Sequence, residues 1–147
     1  MKLAPAFPLL AAALLAGCAS QRDTIATDAT PPIVFVHGNG DSAALWQTTY
    51  WRFESNGWPR SHLHAINLPY PLARDDDGKP QPGRTSTAEH RDYLKKEIDQ
   101  VLRRTGASKV VLVGNSRGGN AIRNYIQTSM QQTGTVAVSH AILGGTP

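Results

Sequence analysis

One serine in the sequence has neighbours that favour nucleophilic chemistry. Ser116 has Gly114 two residues before it and Gly118 two residues after it, and it closely follows the apolar run 110–113. A serine at a sharp turn between a strand and a helix projects its hydroxyl clear of the sheet, and side chains at the two glycine positions would collide in such a turn. The spacing therefore predicts that Ser116 is a nucleophile.

The residues around Ser116 also predict an oxyanion hole. The helix that follows is predicted to begin at Arg117, so its first N–H groups and the positive end of its dipole face the serine. A second glycine-rich turn, HGNG at 37–40, follows an earlier apolar run. We predict that the main-chain N–H groups of Asn39 and Arg117 bind the oxyanion. We interpret His37 as a residue that holds its loop by hydrogen bonds, not as the base.

Other kinds of site have weaker signatures in this sequence. A phosphate-binding loop is disfavoured, because the turn lacks the GxGxxG spacing and has no lysine at a P-loop position. The acidic run 75–77 could bind a cation, but a solvated turn is the favoured interpretation. The single cysteine, Cys18, allows no internal disulfide and no cysteine-based metal site. The net charge of +4 is diffuse, which disfavours nucleic-acid binding.

Alternating strands and helices are predicted to position the two glycine-rich turns. Apolar runs rich in β-branched residues predict four strands, at 33–36, 63–68, 109–114 and 139–145. Amphipathic stretches between them predict three helices, at 42–57, 86–106 and 117–134. This order is typical of the α/β class, an open and mostly parallel sheet with flanking helices, in which ligands bind beyond the carboxyl ends of the strands. A loop rich in Pro, Gly and Asp, 69–85, follows the second strand.

The amino-terminal segment has the pattern of an export signal. A positive charge at Lys2, an apolar stretch and small residues after it predict a signal peptide over 1–17. Residues 18–32 are polar and end in two prolines, which predicts a flexible tether. Residues 33–147 then form the domain.

The residues Leu-Ala-Gly-Cys at 15–18 resemble the lipobox of bacterial lipoproteins. The resemblance implies cleavage before Cys18, lipid on its thiol and attachment to a membrane, since each buried CH₂ group contributes about 0.8 kcal/mol. Ala19 and Ser20 follow the cysteine, which by resemblance favours the outer membrane. The alternative is ordinary signal cleavage near Ala19, which would release a periplasmic or secreted protein.

Four stretches resemble the α/β-hydrolase superfamily and, within it, the bacterial lipases and esterases: PIVFVHGNGDSAALW, HAINLPYP, KVVLVGNSRGGNAIRNYI and SHAILGGTP. The resemblance implies hydrolysis of an ester or lipid substrate by a serine, a histidine base and an acidic partner, with no cofactor and no metal. Asn115 and Arg117 stand where His and Met are more usual beside the serine. This departure leaves the mechanism intact but points to no particular lipase subfamily.

The sequence after Ser116 lacks the rest of the expected triad. In this fold the acid and then the histidine follow the serine along the chain. No Asp or Glu follows Ser116, and the only later histidine is His140, which opens the last predicted strand at the far edge of the sheet. His62, His64 and His90 are also poorly placed. The resemblance puts the missing pair after the seventh and eighth strands, whereas this sequence ends after the sixth.

We therefore expect an incomplete product of a longer gene, with a truncated, inactive relic as the alternative. Two other functions stay open at this point. One is a non-enzymatic surface lipoprotein that keeps the scaffold for binding only. The other is a peptidase, thioesterase or polyester depolymerase on the same scaffold. An Asp or Glu and then a His encoded beyond Pro147 would favour an enzyme over a binding protein.

The chain expressed alone is predicted to show no esterase activity and poor solubility. It lacks a base for Ser116, and its last apolar strand has an unpaired edge, which favours aggregation. The measurement is hydrolysis of a short-chain nitrophenyl ester by the chain and by its Ser116→Ala variant. Turnover that disappears in the variant would contradict the prediction.

Overall fold

Six strands and three helices form the part of the chain that the computed structural model describes, residues 30–146. In chain order the strands are β1 (Ile33–Val36), β2 (Leu63–Ala65), β3 (Leu72–Ala73), β4 (Arg84–Thr85), β5 (Val110–Asn115) and β6 (Val138–Gly144). The helices are α1 (Gln47–Ser55), α2 (Thr87–Thr105) and α3 (Arg117–Thr133). Two short 3-10 helices cover Ala43–Trp46 and Arg60–His62.

The main sheet has the strand order β2–β1–β5–β6, and all of its neighbouring strands are parallel. From β1 the chain first adds β2 on one side and later crosses over to add β5 on the other side. The strand order therefore reverses between β1 and β5, and ligands of open α/β sheets bind at such a reversal. The predicted fold class, an open parallel sheet with flanking helices, is confirmed.

Alternate residues of β1 supply two apolar cores, one on each face of the sheet. Val34 and Val36 are completely buried against α2 and α3. Ile33 and Phe35 face the opposite side, where α1 and the 3-10 helix before it pack. The ring centroid of Phe35 lies 5.3, 5.2 and 5.9 Å from those of Trp46, Tyr50 and Phe53. Because β1 is buried on both faces, its end is a rigid support for the turn that follows it.

Capping residues stand at the ends of the helices. Ser86 starts α2 with a capping box, in which its hydroxyl accepts the N–H of Glu89 and the Glu89 carboxylate accepts the N–H of Ser86. Gly106 ends the same helix with a φ of 71°. Ser42 caps the 3-10 helix that leads into α1. No helix within residues 30–146 has the length and apolar character that crossing a membrane requires.

Two segments next to the sheet differ from the predictions. The second strand ends at Ala65 instead of residue 68, because the N–H of Leu68 donates to Nε2 of His37, at 3.1 Å, and not to a strand. The segment 69–85, predicted as a loop, contains β3 and β4, which pair with each other in parallel.

Residues 30–32, predicted to end a flexible tether, are packed onto the domain. The carbonyl oxygen of Thr30 accepts Nδ1 of His62 at 2.6 Å. The carbonyl of Pro31 accepts the Nε1–H of Trp58 at 3.0 Å, and the carbonyl of Pro32 accepts the N–H of Val111 at 2.9 Å. These contacts attach residues 30–32 to the rest of the described chain. The predicted signal peptide, Cys18 and the rest of the tether lie outside the described residues.

Strand β6 has a neighbour on one side only within residues 30–146. It pairs with β5 from Val138 to Gly144, with an irregularity near its start. Most of its side chains are exposed, and that of Ile142 is 57% exposed. The unpaired apolar edge expected from the sequence is therefore present in this part of the chain.

Candidate active site

Ser116 lies on the turn between β5 and α3, and its main chain has a rarely populated conformation. Its φ is 50° and its ψ is −124°. Within residues 30–146, glycines are the only other residues with a positive φ. Such a conformation costs about 1–3 kcal/mol and persists only where the surroundings hold it. The sharp turn predicted around Ser116 is present.

The two glycines that flank Ser116 leave the space in which this turn forms. A Cβ atom on Gly114 would lie 2.7 Å from Cδ1 of Ile122, on α3. A Cβ atom on Gly118 would overlap the carbonyl oxygens of Val36 and His37, at the end of β1. A larger residue at either position would therefore displace α3 from the sheet, which explains the GxSxG spacing.

Gly119 and Thr146 also hold the turn, and the sequence analysis did not single them out. The N–H of Gly119 and the hydroxyl of Thr146 both donate to the carbonyl oxygen of Ser116, at 2.9 and 3.2 Å. The Thr146 side chain fills the space that a Cβ atom on Gly119 would need. The N–H of Ser116 donates to the carbonyl of Gly144, at 2.9 Å. In the sequence, the second glycine of RGGN and the threonine of GGTP are the residues that could have indicated this contact.

The HGNG turn lies directly beside Ser116. Val36 of β1 pairs with Gly114 of β5, so the residues that follow the two strands meet at the same edge of the sheet. A Cβ atom on Gly38 would lie 3.2 Å from Cβ and 3.7 Å from Oγ of Ser116. The structure therefore brings together the two turns in which the sequence predicted an oxyanion hole.

Two main-chain donors next to this junction are free within the described residues. The N–H groups of Asn39 and Arg117 donate no hydrogen bond to any residue of 30–146. The side chain of Asn39 is engaged elsewhere, because its Oδ1 accepts the N–H of Ala73 at 2.6 Å. Free N–H groups that follow Gly38 and Ser116 are the kind of donor that an oxyanion hole needs.

His37 is completely buried and uses both ring nitrogens to hold the turn. The N–H of Leu68 donates to Nε2 at 3.1 Å, which puts the ring proton on Nδ1. Nδ1 then donates to the carbonyl of Gly38, at 2.9 Å. The predicted structural role of His37 is confirmed.

None of the other histidines of residues 30–146 forms a hydrogen bond with Oγ of Ser116. His140 pairs with Val111, near the start of β5, and is exposed. His62 is bonded to Thr30, and His64 lies on β2, which β1 separates from β5. The prediction that these histidines are poorly placed as bases is confirmed.

His90, in the first turn of α2, is 1% exposed, and its Nε2 has no hydrogen-bond partner within the described residues. Burial lowers the pKa of His90 to about 3, and the positive charge of the Arg117 guanidinium contributes to the same shift. The imidazole is therefore neutral at physiological pH. Burial also lowers the pKa of the Arg117 guanidinium, while the charge of Asp77 opposes that shift.

The acidic run in segment 69–85 does not form a cation site. Asp75 pairs with Arg84, Asp76 with Lys79, and Asp77 accepts the N–H of Thr87. No group of three or more His, Cys, Asp or Glu side chains in residues 30–146 is arranged to hold a metal ion. The carboxylates instead hold the turn and the start of α2.

The model of one protein family, described as Lipase (class 2), matches residues 30–143, a range that includes both glycine-rich turns. The chain belongs to the class 2 lipase family. Among solved structures, the chain is similar to the mature form of the lipase BlEst2 from Bacillus licheniformis, with 26% identity, a TM-score of 0.56 and 81% of the chain covered. The propeptide form of BlEst2 gives the same identity and coverage, with a TM-score of 0.54.

The chain spans less than half the length of these relatives. It covers 42% of the mature form of BlEst2 and 23% of the propeptide form. A comparison with curated proteins found no match. The α/β-hydrolase fold and the relation to bacterial lipases and esterases, both expected from the sequence, are confirmed.

Burial of neutral His90 predicts a loss of stability in mild acid. The unfolded chain binds a proton at His90 near pH 6.5, whereas the folded chain does so only at about pH 3. Stability therefore falls as the pH drops from 6.5 towards 3, by about 2 kcal/mol between pH 7 and pH 5. Urea unfolding at both pH values, at low protein concentration, measures this loss.

Variants at His90 separate its contribution from that of the carboxylates. Between pH 7 and pH 5, the free energy of unfolding of His90→Gln and of His90→Leu should fall by about 2 kcal/mol less than that of the parent. His140→Gln, at an exposed position, is the control and should behave like the parent. An equal loss in the parent and both His90 variants would show that His90 does not carry this pH dependence.

Proposed function

We propose that this chain carries the nucleophile and the oxyanion hole of a serine carboxylic-ester hydrolase of the lipase or esterase type. The observation that carries the proposal is the strained main chain of Ser116, at φ 50° and ψ −124°, beside the HGNG turn. Strain of this kind costs free energy and is typical of functional sites. Membership of the class 2 lipase family supports an ester or lipid as the substrate.

The proposed reaction begins with attack of Ser116 Oγ on the carbonyl carbon of an ester. The carbonyl oxygen becomes an oxyanion, which the N–H groups of Asn39 and Arg117 stabilise at the start of α3. The serine proton passes to a histidine outside residues 30–146, since no side chain in that range bonds to Oγ of Ser116. The histidine then protonates the leaving alcohol, and water hydrolyses the acyl-enzyme.

The chain without that histidine and its acidic partner is proposed to be inactive. Without a base, the hydroxyl stays protonated and is a weak nucleophile at neutral pH. A peptidase, a thioesterase or a polyester depolymerase would use the same nucleophile and oxyanion hole, so these alternatives differ in substrate only. We further propose that a lipid on Cys18 attaches the exported protein to a membrane, a proposal that rests on the sequence of residues 15–18.

The full product of the gene that encodes this chain should react with a fluorophosphonate at Ser116. The reagent phosphonylates an activated serine with loss of fluoride and leaves ordinary serine hydroxyls untouched. Mass spectrometry locates the label, and Ser116→Ala should abolish both labelling and hydrolysis of a short-chain nitrophenyl ester. Ser108→Ala, at an exposed position, is the matched control and should keep both. A folded product that fails to label would refute the assignment and favour a binding protein on this scaffold.

A further inference from the structure

The carbonyl oxygen of Pro71 joins the two turns of the candidate site. It accepts the main-chain N–H of Gly40 at 3.2 Å and a guanidinium N–H of Arg117, also at 3.2 Å. Gly40 belongs to the HGNG turn, and Arg117 directly follows Ser116. One carbonyl of segment 69–85 is thus bonded to both turns that hold the proposed oxyanion donors.

Two more hydrogen bonds fasten the same segment. The second arm of the Arg117 guanidinium donates to the carbonyl of Thr85, at 2.5 Å, so Arg117 spans both ends of segment 69–85. Oδ1 of Asn39 accepts the N–H of Ala73, at 2.6 Å. The two terminal nitrogens of a planar guanidinium can donate to two separate carbonyls, whereas a lysine has a single nitrogen and a methionine has no donor.

Packing beneath segment 69–85 does not replace these bonds. A cleft of about 510 Å³ lies between part of the segment and the start of α2, and the Arg74–Glu89 ion pair and the bond from Thr87 to Asp77 also join the two. Its lining includes Leu68, Tyr70, Thr85, Glu89 and Tyr93. Because side chains around a cleft make few contacts across it, the hydrogen bonds of the segment, including those to Arg117 and Asn39, carry a larger share of its stability.

The segment places an apolar side chain beside the candidate site. Cδ2 of Leu72 lies 3.2 Å from the point that a Cβ atom on Gly40 would occupy. Leu72 is 41% exposed, so it is available to a ligand. Pro71 directly precedes Leu72, and its carbonyl is bonded to both turns.

We propose that the side chain of Arg117 is a positioning residue that fixes segment 69–85, so that Leu72 forms a wall that contacts the apolar part of the ester. This proposal rests on the proposed function, in which Ser116 is the nucleophile. It gives Arg117 two separate roles: the main-chain N–H binds the oxyanion, and the guanidinium determines which esters fit. Substitution of the side chain leaves the N–H in place.

The first part of the test measures hydrogen exchange in the full gene product. Arg117→Met should make the amides of peptides within 69–85 exchange about tenfold faster or more, while peptides of β1 and β5 stay protected. Arg117→Lys should give an intermediate increase, because one ammonium reaches only one of the two carbonyls. Arg103→Met, at an exposed position on α2, is the control. Unchanged exchange within 69–85 in Arg117→Met would overturn the positioning role.

The second part measures kinetics with nitrophenyl esters of short and medium acyl chains. Arg117→Met should change the ratio of kcat/KM between the two esters about tenfold, mainly through KM, and Arg117→Lys should partly restore it. A merely structural role would lower activity equally for both esters. Leu72→Ala should shift the ratio of kcat/KM in the same direction as Arg117→Met, but without faster hydrogen exchange within 69–85. This variant tests the wall even if Arg117→Met fails to fold.

The outcomes separate this inference from the proposed function. An unchanged ester ratio in both Arg117→Met and Leu72→Ala would overturn the role in specificity. If the parent gene product does not hydrolyse either ester or label at Ser116, the proposed function fails, whereas faster exchange within 69–85 still supports the positioning role.

Discussion

The strained main chain of Ser116 is the constraint on which the rest of the structure depends. A residue with a side chain adopts this conformation only where its neighbours hold it. Here the N–H of Ser116 is bonded to β6, and its carbonyl is bonded to Gly119 and Thr146. The glycines on either side have no space for a Cβ atom. Strands β5 and β6 and helix α3 must therefore keep their relative positions for the serine to project from the sheet.

The reversal of strand order puts a second turn next to that serine. Because β1 and β5 are parallel neighbours in register, the turns that follow them meet at one edge. The buried imidazole of His37 holds the first turn from inside, while segment 69–85 holds both turns from outside through Pro71. Hydrogen bonds to the main chain, not a cluster of charged side chains, thus hold Ser116 and the two turns in place.

Local patterns were enough to predict the strands of the main sheet, the helices and both turns, because periodicity and turn residues depend on positions close in sequence. The role of Gly118 also followed from the turn itself. Three other features join distant parts of the chain. They are the contact of Thr146 with Gly119, the hydrogen bonds of Arg117 to segment 69–85, and the packing of residues 30–32. No short pattern encodes such contacts, and the pairing of β3 with β4 was missed for the same reason.

A crystal structure of the full gene product with a phosphonate bound to Oγ of Ser116 tests the central claim most directly. The account predicts that the phosphonyl oxygen lies about 2.7–3.1 Å from the main-chain nitrogens of both Asn39 and Arg117, the distance of an oxyanion-hole hydrogen bond. It also predicts that Ser116 keeps its positive φ in the adduct. A phosphonyl oxygen that points to solvent or to other donors, with Asn39 and Arg117 unbonded, would contradict the account.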